Sequence, residues 1–223
     1  MWCVGKLTPE YRQRMYALLD LYGRSLPKDE PLVCVDEKSK QLLKHSHAPL
    51  PIRPGTPLRE DYEYVREGTR NLFVAVEPRV GRRTVLVTLR RTKQDFVSFI
   101  RHLLDKVYPK ARLIHMVLDN LNTHFRCVFE EILGMRQATR LLRRVQFHYT
   151  PKHASWLNMP EIEIAALSRQ CLDRRLPDEA TMIREVNAWQ KHRNSQRRTI
   201  DWTFTRQDAD RKMGKHYVSS LTC

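Results

Sequence analysis

Asp36, Asp119 and Glu161 are the residues of this 223-residue sequence whose types and surroundings allow joint chemistry. Asp36 follows the apolar run Leu32-Val33-Cys34-Val35, and Asp119 follows a second apolar run from Leu113 to Leu118. Two strands that each finish on an aspartate would, as parallel neighbours, set both carboxylates at the carboxyl edge of one sheet, where α/β folds build their sites. Glu161 lies where the chain enters a helix through Asn158 and Pro160, which puts it in the first turn. Three carboxylates with no cysteine or histidine cluster suit Mg²⁺ or Mn²⁺ better than zinc. Two such ions about 4 Å apart activate a water or a 3′-hydroxyl and stabilise the leaving oxygen of an in-line phosphodiester displacement.

Each acid also has an ordinary use. An aspartate just past a strand commonly hydrogen-bonds its own loop, and Asn158 with Glu161 three residues later reads as a reciprocal cap of the helix. Cap and ligand roles can coexist, because a carboxylate near a helix N-terminus tends to stay ionised, as a hard cation requires. Glu163 is a poor rival to Glu161, since two residues along a helix is about 200° around it. Glu37 points to the opposite face from Asp36 if both lie in the strand.

The elements that must hold these residues follow from periodicity. Thr8 to Leu21 reads as a short amphipathic helix with Thr8 as cap, Pro9 at the first position and Gly23 as the stop. After a linker at Pro27 and Pro31 comes the central strand ending at Asp36, then a proline-rich excursion from Pro49 to Pro57. Asp61–Glu67, Asn71–Val76 and Thr84–Leu89 are three strand candidates, the last two joined as a hairpin around Pro78 and Gly81. Apolar residues recur at helical spacing from Thr92 to Val107, and the strand ending at Asp119 follows. A weaker helical pattern fills Phe125 to Arg144, Val145–Tyr149 is a short strand, and helices cover roughly Met159–Asp173 and Asp178–Arg193. This order gives an α/β fold, a mixed sheet flanked by helices on both faces.

Forty Lys and Arg against 25 Asp and Glu leave a net charge of +15, which favours a polyanionic partner, nucleic acid first. The basic residues are dispersed, so a merely solvated basic surface stays open as an alternative. The five cysteines, Cys3, Cys34, Cys127, Cys171 and Cys223, are scattered and form no CxxC pair, which fits a reducing cytosol. No secretory leader opens the chain, and no apolar run approaches the ~18 residues that cross a bilayer, so neither secretion nor membrane insertion is expected. Glycine is too scarce for a phosphate-cradling loop, which argues against nucleotide-driven chemistry.

Around the acids, Lys152, His153, Ser155, Trp156 and Asn158 should line the same edge and hold a phosphate backbone, with Trp156 stacking or simply filling the core. His124, five residues past Asp119, either meets the scissile phosphate or orders its loop, and Lys38 is similar. Arg90, Arg91 and Lys93 are second-rank phosphate contacts or simply solvent-exposed charges, and Arg136, Arg140, Arg143 and Arg144 share one helical face that either binds a backbone without sequence preference or is only solvated.

Beyond the composition, particular strings resemble a known family. Asp36-Glu37-Lys38-Ser39, Tyr62-Glu63-Tyr64 with Gly68-Thr69 and Asn71-Leu72-Phe73, Leu118-Asp119-Asn120-Leu121-Asn122-Thr123-His124, and Tyr149 through Asn158 with Glu161 look like bacterial insertion-sequence transposases related to mariner elements, over about Trp2 to Tyr217. The resemblance implies an RNase H-like catalytic domain over 31–217, preceded by a linker and helix (1–30) and followed by a short tail (218–223). It also implies that Asp36, Asp119 and Glu161 are the metal-binding catalytic triad, with two Mg²⁺ or Mn²⁺ ions. The expected activity is release of transposon ends and strand transfer, commonly into a TA dinucleotide, by a homo-oligomer on DNA in the bacterial cytoplasm. Two features depart from the family. Forty-one residues separate Asp119 from Glu161, longer than the mid-thirties spacing of most members, which an inserted helix around Glu131 to Arg144 would absorb. Such transposases also carry an N-terminal helix-turn-helix, whereas this chain starts at Met1 just before the catalytic domain. Either another reading frame supplies that part or the copy is truncated, which keeps a catalytically idle DNA-binding remnant as the alternative.

Overall fold

The computed structural model describes residues 7–119 and 126–217. A five-stranded mixed sheet runs in the order β3-β2-β1-β4-β5, where β1 is Leu32–His45, β2 Tyr64–Glu77, β3 Arg82–Thr88, β4 Ile114–Leu118 and β5 Val145–Tyr149. The first three strands are antiparallel neighbours, while β4 lies parallel to both β1 and β5. Alternation along β1 and β2 sorts the side chains onto two faces. Val33, Val35, Phe73 and Ala75 pack with α2 (Lys93–His102), its continuing turn Leu103–Val107, α3 (Arg126–Leu133) and α4 (Met135–Leu142). Phe73 stacks on Phe99 at 5.5 Å and Phe96 meets Phe129 edge-on at 5.8 Å, so this face is anchored by an aromatic cluster.

On the other face, Leu72, Val74 and Val76 meet α5 (Pro160–Leu167, continuing to Leu172) and α6 (Glu179–Ser195). Leu32, Cys34 and Val117 on that face meet α1 (Pro9–Gly23), joined by Ala209 of α7 (Arg206–Met213). Thr8 caps α1 by accepting the Tyr11 N–H at 3.2 Å, as its position suggests. Thr92 and Asp95 close a reciprocal cap on α2. Gly134, at φ +75°, separates α3 from α4 within the segment expected to be weakly helical.

Two expectations need correction. The central strand does not end at Asp36: β1 continues to His45, paired with β2 as far as Tyr64, so the acid sits inside a long strand. Likewise the strands expected over Asp61–Glu67 and Asn71–Val76 are one strand. Gly68, which reads as a break, adopts φ +90° within β2, and the ladder to β1 shifts register between Gln41 and Leu43. A bulge absorbs the irregularity that a glycine in a strand often marks.

The outer edge of the sheet, β3, is covered by side chains of α6. Asn194 accepts the Arg83 N–H at 2.8 Å and donates to the Arg83 carbonyl at 2.8 Å, and Gln190 accepts the Val85 N–H at 2.6 Å. Four residues of helix rise about 6 Å and two residues of strand about 6.8 Å, so the spacing of the two amides matches the spacing of the strand's outward peptide groups.

Candidate active site

Parallel pairing between β1 and β4 covers only Leu32–Cys34 against His115–Val117. Beyond it the strands part, β1 following β2 with Asp36 opposite Val74. Asp36 shares the face of Cys34, and Asp119 by alternation shares that of Val117, both of which pack against α1. The two aspartates therefore stand on one face where parallel strands diverge, the place at which open α/β sheets leave a crevice. Glu37 falls on the other face, 3.5 Å from the Arg91 guanidinium.

The third acid arrives from β5. After Thr150 and Pro151 the chain turns through His153, at φ +62°, and a short turn Ser155–Leu157, closed by the Asn158 N–H donating to the Ser155 carbonyl at 2.6 Å. Pro160 takes the first position of α5, where its missing N–H costs nothing. Glu161 is exposed in the first turn, and its N–H donates to the Asn158 carbonyl at 3.2 Å. The expected cap by the Asn158 side chain is not made. Met159 occupies the cap position in helical conformation without a side-chain bond, and Asn158 turns inward, 1% exposed.

What sets the rotation of α5 is Glu163, which the sequence offered only as a poor rival to Glu161. It is 1% exposed and receives Arg83 Nη2 at 2.7 Å and Arg193 Nη2 and Nε at 3.0 Å each. Burial would raise its carboxyl, but hydrogen bonds and charge from Arg193 and Arg83 hold it below the ordinary carboxylate range. With Glu163 locked under the helix, Glu161 faces outward to the sheet edge. The i+2 spacing of the two acids was the only sequence signal, and it gave their opposition without giving the partners.

Electrostatics join the three acids. The Asp36 carboxyl is pushed up to about 7, first by burial, opposed by the Glu37 N–H bonded to it, and raised further by the charges of Asp119, Glu37 and Glu161. Asp36 Oδ1 accepts that N–H at 2.8 Å, and Oδ2 accepts Asn158 Nδ2 at 3.2 Å. A partly buried carboxylate surrounded by like charge is relieved by a cation, and an all-oxygen donor set fits a hard divalent ion.

Of the flanking residues, Lys38 is partly buried on the face of Asp36, while Lys152, His153 and Ser155 are exposed. Lys152 and His153 line a cavity of about 510 Å³ with Thr8, Glu10, Tyr11, Arg14 and Pro151. Trp156 packs edge-on against Phe204 at 5.5 Å, the core-filling arrangement rather than an open stacking platform. Asn158 is interior and commits its amide to Asp36 and the Val35 carbonyl, so it is not placed to meet a phosphate. His124 lies outside the described residues. Of the arginines expected on one helical face, Arg144 turns inward to the carbonyls of Tyr108, Pro109 and Ala111, while Arg140 and Arg143 join Arg101 around a separate cavity of about 550 Å³.

One other ligand-type group occurs among the described residues. His47, Asp61 and Glu63 bring ligand atoms within 4.8 Å of one another in the loop between β1 and β2. Asp61 there is already engaged by His47 Nδ1 at 2.8 Å and by the Glu63 N–H at 3.2 Å, which accounts for the geometry. No described helix is long and apolar enough to cross a membrane.

Comparison with known proteins bears on this arrangement. The sequence pattern of the DDE superfamily endonucleases matches residues 31–183, a span that takes in Asp36, Asp119 and Glu161. No curated protein matches the sequence. Among solved structures, the mariner Mos1 paired end complex with Mg has a TM-score of 0.56 at 16% identity, covering 98% of this chain and 66% of that one. The Mos1 strand transfer complex has a TM-score of 0.54 at 15% identity, covering 86% and 58%. The Mos1 mariner paired end complex with Mn has a TM-score of 0.53 at 16% identity, covering 86% and 58%. The chain thus spans between 58% and 66% of the length of these structures. At such identity the likeness concerns the fold, which is RNase H-like.

Proposed function

Because the chain belongs to the DDE superfamily endonucleases, we propose that it is the catalytic domain of a transposase that cuts DNA and joins strands, with Asp36, Asp119 and Glu161 holding two Mg²⁺ or Mn²⁺ ions. The observation that carries this reading is the field on Asp36: burial and the charges of Asp119, Glu37 and Glu161 raise its carboxyl to about 7 at the point where β1 and β4 diverge. The names of the similar structures, Mos1 complexes with Mg, with Mn and in strand transfer, support the same chemistry.

Bound there, divalent ions would supply activation of the attacking oxygen and stabilisation of the leaving one. Cutting then exchanges one P–O bond for another: a water or 3′-hydroxyl oxygen joins phosphorus as the DNA 3′-oxygen departs in line, and no bond to the protein forms. Asp36 and Asp119 contribute ligand oxygens from rigid strands. Glu161 adds its own from the first turn of α5. Lys152 and His153, exposed beside the edge, hold the phosphate backbone, and Lys38 adds charge on the face of Asp36. The substrate is transposon-end and target DNA, bound by a homo-oligomer in the cytoplasm, with end recognition supplied by a helix-turn-helix segment.

The test is cleavage and strand transfer on labelled DNA carrying the ends of the encoding element, with Mg²⁺ or Mn²⁺, comparing wild type with Asp119→Ala. Metal-dependent products that vanish in the variant establish the reading. DNA that is bound and never cut would make the chain a regulator or remnant instead.

A further inference from the structure

Asn158 is the residue through which the strand acid and the helix acid are mechanically joined. Its side chain is interior, 1% exposed, and Nδ2 donates to two acceptors, the Val35 carbonyl at 3.0 Å and Asp36 Oδ2 at 3.2 Å. The Val35 carbonyl can only accept, so the amide end must face it, and this bond settles the orientation of the carboxamide. Its Oδ1 is buried without a hydrogen-bond partner among the described residues. Burying an unsatisfied acceptor is unfavourable, and a small apolar residue would avoid it. Asparagine at this position is explained by what the donor end does.

That end acts on Asp36. With Oδ1 held by the Glu37 N–H and Oδ2 by Asn158, rotation of the Asp36 carboxylate about its Cβ–Cγ bond is fixed from both sides. The main chain of the same residue acts on the third acid, since its carbonyl accepts the Glu161 N–H that closes the first turn of α5. The bond to Val35 fastens this junction to β1, and Tyr22 donates its hydroxyl to the neighbouring Leu157 carbonyl at 2.7 Å from α1. We propose that Asn158 is a positioning residue that sets the angle of the Asp36 carboxylate and ties it to the turn presenting Glu161, so that both acids meet a divalent cation in one geometry. This rests on the reading of Asp36 as a metal ligand. Removing a partner that orients a ligand carboxylate typically costs about 10- to 100-fold in metal affinity.

The experiment compares wild type, Asn158→Ala and Asp36→Ala as full chains. Mn²⁺ affinity is read from the paramagnetic resonance of the free ion, the Mn²⁺ concentration giving half-maximal cleavage is measured on element-end DNA, and folding is followed by circular dichroism and thermal unfolding. Asn158→Ala should fold and bind Mn²⁺ about 10- to 100-fold more weakly, the loss typical of a removed orienting partner. Its half-saturating Mn²⁺ should rise in step, with cleavage restored at high Mn²⁺, which a generally damaged fold would not show. Asp36→Ala should lose the site. Wild-type Mn²⁺ affinity and half-saturation in Asn158→Ala, with binding lost in Asp36→Ala, would overturn the positioning role and leave the metal site standing. Unchanged binding in Asp36→Ala would overturn the metal reading itself. If Asn158→Ala does not fold, Asn158→Ser, which fills more of the space and keeps a shorter donor, takes its place: weakened Mn²⁺ binding supports the positioning role and wild-type binding overturns it.

Discussion

Replacing Asp36 by asparagine should make the protein more stable. In the native state the carboxyl is raised from 3.8 to about 7, so between those values the folded chain keeps a proton that the unfolded chain has released. For an acid whose folded pKa is raised, stability falls as pH climbs through that window, and the cost is complete above it. At about 1.4 kcal/mol for each pKa unit the full cost is roughly 4 kcal/mol, of which about 1.7 is already present near pH 5. Asp36→Asn removes the charge and leaves an amide oxygen to accept from Asn158, but its amide hydrogens then face the Glu37 N–H, a mismatch of about 1 kcal/mol. The net gain in chelator should be about 3 kcal/mol near pH 8 and below about 1 kcal/mol near pH 5. Urea unfolding followed by tryptophan fluorescence at the two pH values measures it. Saturating Mn²⁺ should shrink the difference at high pH, because wild type alone gains ligand-linked stability. An equal effect at both pH values, or a loss of stability near pH 8, would refute the account of this carboxylate as an ionised group crowded by like charge.

Two other perturbations probe the frame and the surface. Glu163→Ala strands Arg83, whose side chain is 0% exposed, and should cost about 3–5 kcal/mol in urea unfolding; a second change, Arg83→Met, should recover much of the loss, and a cost below about 1 kcal/mol would show that the network does not hold α5. Arg140→Glu with Arg143→Glu should weaken binding to arbitrary duplex DNA and make the slope of log affinity against log salt shallower by about two, with Mn²⁺ affinity unchanged; an unaltered slope would mark these arginines as solvated surface.

The placement of the two aspartates near the end of the β1–β4 pairing was legible because polar type and apolar periodicity meet there. Asp36 and Asp119 each interrupt an apolar run two residues beyond Cys34 and Val117, the last β1–β4 pair, so the change from apolar to polar in the sequence falls close to a real boundary between strands. The far half of β1 was not legible. Lys38, Ser39, Lys40 and Gln41 give no apolar alternation because this stretch of strand is largely open to solvent, and it persists through its ladder with β2. A two-stranded arm is held by backbone pairing, which leaves little trace in side-chain pattern. Helix α7 went unseen for a related reason, since only Ala209 among its residues is buried. Asn158 shows the opposite failure. Its type and place before a helix satisfy every local rule for a cap, yet a longer-range bond to Val35 and Asp36 outcompetes the local one. Local rules cannot see a partner more than a hundred residues away, and for the same reason Glu163 could be set opposite Glu161 while Arg83 and Arg193 stayed hidden.

The amides of Asn194 and Gln190 along β3 have a bearing on how copies of the chain can gather. An open strand edge is a template that welcomes any extended segment, including the same segment of another copy, and is a common route to uncontrolled stacking. Here a helix imitates the missing neighbour with two side chains, which engage the Arg83 N–H and carbonyl and the Val85 N–H. Self-recognition by lengthening the sheet past β3 would first require α6 to peel away, carrying Arg193 and its hold on Glu163 with it. Contact between copies through the first residues of β3 is therefore disfavoured.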